Sequence, residues 1–263
     1  MEWEPTKRFT NRVQYYAQYR PGYPDTLVEL LKQEVPLSPT MVIADIGSGT
    51  GLLSIPFLRY GCTVYGVEPN AAMREAGERL LRQYAAFSSV DGAAEATTLP
   101  DQCVQLITAG QAYHWFDVER ARTEFLRILQ PDGYVILAWN FRRTDTTPFM
   151  RAYDALPEEW RNLPVHRPQA TPSEDVAAKP SHPLFGDVEP QVRLLEHRQE
   201  FDWEGFRGRV LSESSTPLPG DPRHAPMMAA LRQLFDAHQE QGKVIFYYDT
   251  LVRYGRLQAH AKP

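Results

Sequence analysis

The sequence is poor in cysteine and has no long apolar run. Of its 263 residues only two are cysteines, Cys62 and Cys103, which lie far apart and outside any CxxC pattern. We therefore expect no disulfide framework, no structural zinc site and no bound metal. No stretch approaches the roughly 20 apolar residues that cross a bilayer, so we expect no membrane partner.

The sequence also lacks an excess of basic charge. Its formal net charge is −5 at pH 7, which gives no general attraction to nucleic acid. The first residues, MEWEPTKRFT, are polar and contain no apolar segment of the kind found in a secretory leader. We therefore expect a cytoplasmic protein without a nucleic-acid partner.

Short runs of apolar and β-branched residues recur at regular spacing through the first half of the chain. Such runs are typical of buried strands, and helical patterns fit between them. One of these helices is expected to begin at Asp117 as its N-cap and to stop at Pro131–Gly133. This alternation predicts a doubly wound α/β fold with a mostly parallel sheet. The predicted strands are MVIADI (41–46), CTVYGV (62–67), AAFSSV (85–90), VQLITA (104–109) and YVILAW (134–139).

The pattern changes after Trp139. Residues 143–190 carry seven prolines from Pro157 onward and few strong strand signals, which favours an inserted lid with short helices near 148–156 and 158–163. A disordered loop is the alternative. Regular structure is expected to return with strands at 191–201 and 243–254 and a helix at 202–212, with a loop at 214–226.

A glycine-rich loop, IADIGSGTGLLSI (43–55), follows the first strand and opens a helix expected to start near Leu52. Glycines at 47, 49 and 51 let the backbone approach a ligand, and free amides at a helix start favour partial negative charge. A dinucleotide fingerprint would have Gly or Ala at Leu52, and Asp45 would repel a pyrophosphate. A phosphate-binding loop would need a Gly-Lys-Ser/Thr step, which is missing.

The ligand should therefore offer a weak anion to the amides and a cation that an acid tolerates. Glu68 ends the second strand about twenty residues past the glycines, where an acid can bind the two hydroxyls of a ribose. S-adenosylmethionine meets these demands, since it has a zwitterionic amino acid end, a cationic sulfonium and a ribose diol. Each feature also has a non-functional interpretation. The glycine loop could be a tight turn without a ligand, and Glu68 could be a solvated acid at a strand end.

Five segments, in this order, resemble the class I S-adenosylmethionine-dependent methyltransferases. They are ADIGSGTG, VYGVEPNAAM, DGAAEATTLPD, GQAYHWFD and RILQPDGYVILAWN. The segments RFTNRVQYYAQYRPGYP and QAYHWF resemble more narrowly the trans-aconitate-methyltransferase-like branch, which acts on small molecules.

The resemblance implies a Rossmann-like seven-stranded sheet with an antiparallel last strand, plus N-terminal and inserted lid segments. It implies one domain over 1–263, divided into an N-terminal cap (1–36), a cofactor-binding core (37–142), the lid (143–190) and C-terminal strands and helices that complete the sheet (191–263). The cofactor residues it implies are Asp45, Gly47, Ser48, Gly49, Gly51, Glu68, Pro69, Asn70, Met73, Ala94, Glu95 and Gln111.

The acceptor is expected at the end of the fourth strand. A hydroxyl nucleophile needs a base, for which His114 has a suitable intrinsic pKa, with Gln111 as a second catalytic candidate. A carboxylate nucleophile needs no base but favours a cation such as Arg20 or Arg142. His114 could equally be structural. The candidate acceptor-binding residues are Tyr19, Arg20, Tyr113, His114, Trp115 and Arg142.

Three functions remain open at this point. The first is methyl transfer to a small-molecule acceptor at oxygen or carbon, and the second is methyl transfer to tRNA or protein. The third is a cofactor-binding module without catalysis. No Asn/Asp-Pro-Pro-Tyr or Pro-Cys step follows the fourth strand, so the usual signatures of base methylation are missing.

Overall fold

The computed structural model describes residues 13–157, 160, 183–186, 188–213 and 216–257. Its strands form a single sheet in the order β3-β2-β1-β4-β5-β7-β6. The strands are β1 (Val42–Ile46), β2 (Thr63–Val67), β3 (Phe87–Val90), β4 (Val104–Gly110), β5 (Leu129–Arg142), β6 (Gln191–Phe201) and β7 (Val244–Arg256).

The strand directions confirm the predicted sheet. β1 pairs in parallel with β2 and β4, and the parallel pairing continues to β3 on one side and to β5 on the other. β7 runs antiparallel to both β5 and β6. The sheet is therefore seven-stranded and mostly parallel, with its last strand in chain order reversed.

Helices cover both faces of the sheet, as a parallel sheet requires. On one face α2, α3 and the end of α4 bury Leu27, Phe57 and Leu81. On the other face α5 buries Phe125 and Ile128. The helices are α1 (Val13–Tyr19), α2 (Thr26–Glu34), α3 (Ser54–Tyr60), α4 (Ala71–Leu81), α5 (Val118–Ile128), α6 (Pro148–Asp154), α7 (Trp203–Leu211) and α8 (His224–His238).

A third core lies around the beginning of β7, where α6, α7 and α8 meet. Its centre is Phe246, whose ring lies 5.0–5.9 Å from those of Phe149, Tyr153, Phe201 and Phe206, measured between ring centroids. Edge-to-face ring pairs add roughly 0.5–1.5 kcal/mol beyond area burial. We call this group, with Phe235 and Tyr248, the aromatic cluster.

Several sequence-based boundaries were wrong. α5 ends at Ile128, and Pro131–Gly133 lies inside β5, where the register with β4 shifts. The predicted loop 214–226 ends early because α8 begins at His224. Pro226 fits there, since the first turn of a helix leaves its N–H groups without helical partners.

Other expectations lie outside the described residues, among them the short helix at 158–163 and most of the predicted lid. Within the described part of the lid, α6 matches the helix predicted near 148–156. No helix in the described ranges combines the length and apolar character needed to cross a membrane.

Candidate functional site

The glycine loop lies between the carboxyl end of β1 and α3. Gly47, Gly49 and Gly51 have φ values of 65°, 57° and 81°, in the region that side chains disfavour. A Cβ at Gly47 would also lie 2.6 Å from the Cβ of Ala112, and one at Gly51 would overlap Leu81. The loop therefore requires glycine for both its backbone conformation and its close packing.

Asp45 supports this loop from beneath. Its carboxylate is fully buried and accepts hydrogen bonds from Ser54 Oγ at 2.6 Å and from Thr108 Oγ1 at 3.1 Å. Burial raises its pKa to about 6, against the lowering effect of the two hydroxyl groups. Asp45 thus links β1 to α3 and β4, and it does not line the cleft described below.

Glu68 follows β2 and holds the loop through the backbone. Its Oε2 accepts from Gly49 N and its Oε1 accepts from Asn70 N, both at 2.9 Å. Burial raises its pKa, and the two backbone N–H groups act against that rise. A carboxylate has about four lone-pair directions, so each oxygen keeps one for a further donor such as a hydroxyl group.

The start of α4 forms the next wall. Asn70 is its N-cap, and the side-chain oxygen accepts from Ala72 N at 3.0 Å and from Met73 N at 3.2 Å. The methyl end of Met73 reaches the glycine loop, 3.3 Å from the position of a Cβ at Gly49. The two residues fix the entry of α4 against the loop.

These elements enclose a cleft of about 230 Å³ at the carboxyl ends of β1, β2 and β4. Of the predicted cofactor residues, Asp45, Ser48 and Gly51 do not line it. The lining residues that were predicted to bind cofactor are Gly47, Gly49, Glu68, Pro69, Asn70, Met73, Ala94, Glu95 and Gln111. The lining residues that were not predicted to bind cofactor are Ala93, Gly110, Ala112, Trp115 and Phe116.

Of these additional lining residues, Ala93 follows β3, Gly110 ends β4 and the other three follow β4. Gly110 and Ala112 flank Gln111, so the position of the strand end was the available signal. Small side chains carry no pattern of their own, which is why sequence reasoning missed them. Trp115 was predicted to bind the acceptor, and the structure places it on the wall of this cleft.

Gln111 has a φ of 54°, which is uncommon outside glycine. Its backbone N–H donates to Ala138 O and its side-chain Nε2 donates to Asn140 O, both at 2.9 Å. The conformation is therefore held from β5. Glu95 is similarly engaged, since its Oε1 accepts from Asp117 N at 2.7 Å, at the start of α5.

Tyr113, His114 and Trp115 form a single turn of 3-10 helix after β4. His114 is exposed, is not among the residues lining the cleft, and lies 4.7 Å from the ring of Trp115, centroid to centroid. Partial desolvation lowers its pKa below the usual value of a histidine. Tyr113 packs edge-on against Phe116 and Trp139.

The remaining predicted acceptor residues lie elsewhere. Arg142 ends β5 on the sheet face opposite Trp139, and its guanidinium lies 4.6 Å from the centre of the Tyr153 ring. Tyr19 packs against the backbone of Gly208 in α7, and the Arg20 carbonyl accepts from Gln199. The structure thus separates Tyr113, which packs on Trp139, from Arg142, which lies on the opposite face of the sheet.

With this geometry described, the chain can be compared with known proteins. Residues 44–137 match a family model, that of a methyltransferase domain. An uncharacterized methyltransferase of Schizosaccharomyces pombe is 29% identical over 164 residues, which are 61% of this chain and 62% of that protein. An uncharacterized methyltransferase of Mycobacterium tuberculosis is 34% identical over 134 residues, 51% and 52% of the two chains. The alignments therefore span about half to three-fifths of these curated relatives.

Solved structures support the fold over nearly the whole chain. A protein of Anaeromyxobacter dehalogenans, described as a proposed type II methyltransferase, superposes with a TM-score of 0.68 at 24% identity, covering 92% of this chain and 100% of that one. A protein of Anabaena variabilis superposes with a TM-score of 0.53 at 17% identity, over 90% and 99% of the two chains. The chain therefore contains a segment similar to a methyltransferase domain, and it shares its fold with a protein described as a methyltransferase.

The cleft fits S-adenosylmethionine on its own geometry. The positive-φ glycines leave room for a ligand against bare backbone, and Glu68 keeps free lone pairs beside them. Apolar walls from Met73, Trp115 and Phe116 suit a planar base. When bound, the cofactor supplies a methyl group made electrophilic by its sulfonium.

Proposed function

We propose that this protein transfers the methyl group of S-adenosylmethionine to a small-molecule acceptor, at oxygen or carbon, by in-line displacement. The observation that carries the proposal is the cleft, in which the glycine loop and the Glu68 carboxylate meet beside the end of β4. In this chemistry the protein's residues position the acceptor and exclude water, because transfer needs the nucleophile about 3 Å from the methyl carbon.

The cleft determines where the acceptor has to approach. Gly47, Gly110 and Gln111 form the wall at the carboxyl ends of β1 and β4, so a methyl group held there faces the neighbouring end of β5. Asn140 and Arg142 end that strand. This position favours an acceptor small enough to lie over β5 and β7, and we propose the small-molecule branch and a cytoplasmic location on the sequence resemblance and composition described above.

Incubation with methyl-labelled S-adenosylmethionine and a cell extract tests the proposal. The extract is divided beforehand into small-molecule, protein and RNA fractions, and the Gly47→Ala variant serves as the control with a disrupted cleft. Label is expected in the small-molecule fraction and only with the wild-type protein. Label in protein or tRNA would replace the proposal by a macromolecular acceptor. Cofactor binding with no label in any fraction would indicate a non-catalytic module.

A further inference from the structure

Three side chains from neighbouring strands form a row across one face of the sheet. Tyr248 on β7 is paired in register with Arg142 on β5 and with His197 on β6. Directly opposed residues place their side chains on the same face, with Cβ atoms about 5 Å apart. We call Arg142, Tyr248 and His197 the polar row. Gln199 lies two residues after His197 and therefore on the same face of β6.

The charges around the polar row cancel. The Arg142 guanidinium contacts Asp154 at 3.2 Å and Glu213 at 3.5 Å. The buried Arg209 lies 3.1 Å from the same Glu213 carboxylate and donates to the Tyr248 hydroxyl at 3.0 Å. The two guanidinium groups thus face two carboxylates, so these four groups together carry no net charge.

Within the part of the chain that the structure describes, three buried polar atoms of this surface have no hydrogen-bond partner, namely Arg142 Nε, His197 Nε2 and Gln199 Oε1. The Gln199 amide is oriented by its Nε2, which donates to Arg20 O at 3.4 Å and leaves the oxygen unpaired. Buried polar atoms without partners are costly and uncommon in folded proteins. Arg142 Nε can only donate, Gln199 Oε1 can only accept, and the imidazole nitrogen of His197 can do either, depending on its tautomer.

The polar row begins beside the cofactor cleft. Gln111, which lines the cleft, donates to Asn140 O at 2.9 Å. Asn140 precedes Arg142 by two residues on the same face of β5, which is about 7 Å along a strand. Buried rings pack against the row, since the Tyr153 ring lies 4.6 Å from the Arg142 guanidinium and the Tyr248 ring 5.8 Å from the His197 ring.

We propose that the polar row and Gln199 form the acceptor subsite, and that the acceptor is an uncharged molecule carrying more than one hydroxyl group. This inference rests on the proposed methyltransferase function. One hydroxyl group of such a molecule would accept from Arg142 Nε–H, and another would donate to Gln199 Oε1. A carboxylate cannot donate to Gln199, and it would add negative charge next to Asp154 and Glu213.

In the experiment, the small-molecule fraction of an extract is first separated at pH 7 on an anion-exchange resin. Each of the two resulting fractions is then incubated with the full chain and labelled S-adenosylmethionine. Label is expected in the fraction that the resin does not retain.

With the purified acceptor, His197→Phe and Gln199→Leu should each raise KM about five- to tenfold, the loss of one hydrogen bond. The dissociation constant of S-adenosylhomocysteine should not change. His197→Gln keeps a hydrogen-bonding group and should recover part of the acceptor affinity that His197→Phe loses.

Leu194→Ala is the matched control, because Leu194 lies on the same strand, points to the opposite face and is 51% exposed. Label confined to the retained, anionic fraction would overturn the inference. So would an unchanged KM in both His197→Phe and Gln199→Leu, measured in folded protein. Binding of S-adenosylhomocysteine without label in any fraction would contradict the proposed function itself. The proposed acceptor subsite would then be contradicted as well.

Discussion

The cofactor cleft and the aromatic cluster lie at the same sheet, but they differ in how far apart in the sequence their hydrogen-bonded residues are. At the glycine loop, Glu68 bonds to Gly49, 19 residues away, and Asp45 bonds to Ser54, 9 residues away, and to Thr108, 63 residues away. Beside the cluster, Arg209 bonds to Tyr248 across 39 residues, and Arg143 bonds to Asp249 across 106. Local contacts leave a recognisable motif in the sequence, and long-range contacts depend on how the strands are ordered.

The two regions also differ in what stabilises them. The cleft depends on backbone conformations and hydrogen bonds around glycines, with few large side chains. The aromatic cluster depends on ring packing around Phe246. Substitutions in the cluster should therefore act mainly on stability, and substitutions in the cleft mainly on ligand affinity.

The largest effect is expected from Phe206→Ala. Phe206 is fully buried in the aromatic cluster, and removing its ring should lower the free energy of unfolding by about 3–5 kcal/mol. Urea denaturation measures the loss, with the exposed Leu194→Ala as a control that should change little. At a temperature where the variant is still folded, its affinity for S-adenosylhomocysteine should stay within about threefold of wild type. A tenfold loss of affinity would show that cluster and cleft are energetically coupled.

Gly47→Ala should combine a moderate loss of stability with a large loss of binding. A left-handed residue other than glycine costs roughly 1–2 kcal/mol, and overpacking against Ala112 adds about 1–3 kcal/mol. Calorimetry should show at least a tenfold weaker affinity for S-adenosylhomocysteine. Gly242→Ala is the matched control, because Gly242 has a φ of 78° but no atom of the described residues within 4 Å of its added Cβ. Equal losses of affinity in both variants would contradict a specific role for Gly47.

Asp45→Asn should alter the pH dependence of stability. An acid whose pKa is raised holds its proton more tightly in the folded protein. The free energy of unfolding therefore falls as pH rises from about 3.8 through about 6. The fall should amount to about 2–3 kcal/mol at most. The amide of the variant cannot titrate, so unfolding curves between pH 4 and pH 7 should lose this component, whereas the exposed Asp91→Asn should retain it. An unchanged profile in Asp45→Asn would show that other groups produce the dependence.

Glu68→Ala should weaken cofactor binding with little loss of structure. The variant loses the carboxylate that is expected to bind the ribose hydroxyls, and it also releases the Gly49 and Asn70 N–H groups. The loss should be roughly 1.5–3 kcal/mol, about ten- to a hundredfold in the dissociation constant of S-adenosylhomocysteine. Glu75→Ala, an acid on the outside of α4 that is 67% exposed, is the control. Unchanged affinity in a folded Glu68→Ala protein would place the ribose elsewhere.

Sequence reasoning succeeded where the physical requirement is local. The alternating glycines, Asp45 and Glu68 each stand at a fixed offset from a strand end, and the structure brings the glycines and Glu68 together as expected. Strand positions were also predictable, since buried parallel strands are near-continuous apolar runs. The direction of β7 came from the family resemblance, and the structure confirms it.

The same reasoning failed where a residue's role depends on partners far along the chain. Nothing in the sequence around His197 or Gln199 indicates that β6 places them beside β7 and next to Arg142 in the same row. α8 was missed because its start, HAP, follows a proline-rich stretch that predicts a loop. The register shift around Pro131–Gly133 likewise depends on pairing with β4, which a single segment does not encode.

The smallest effect is expected from His114→Ala. This variant tests whether the acceptor binds beside His114 or elsewhere. If His114 were the general base for a hydroxyl acceptor, its removal should slow transfer by roughly 10²–10⁴. In the structure it is exposed and absent from the cleft lining. We therefore expect less than about a tenfold loss in kcat and an unchanged affinity for S-adenosylhomocysteine. Trp115→Ala is the paired variant, because Trp115 lines the cleft and should lose cofactor affinity. A loss of kcat beyond a hundredfold in folded His114→Ala, with the pH dependence near pH 6–7 abolished, would restore the histidine as the base and place the acceptor beside it.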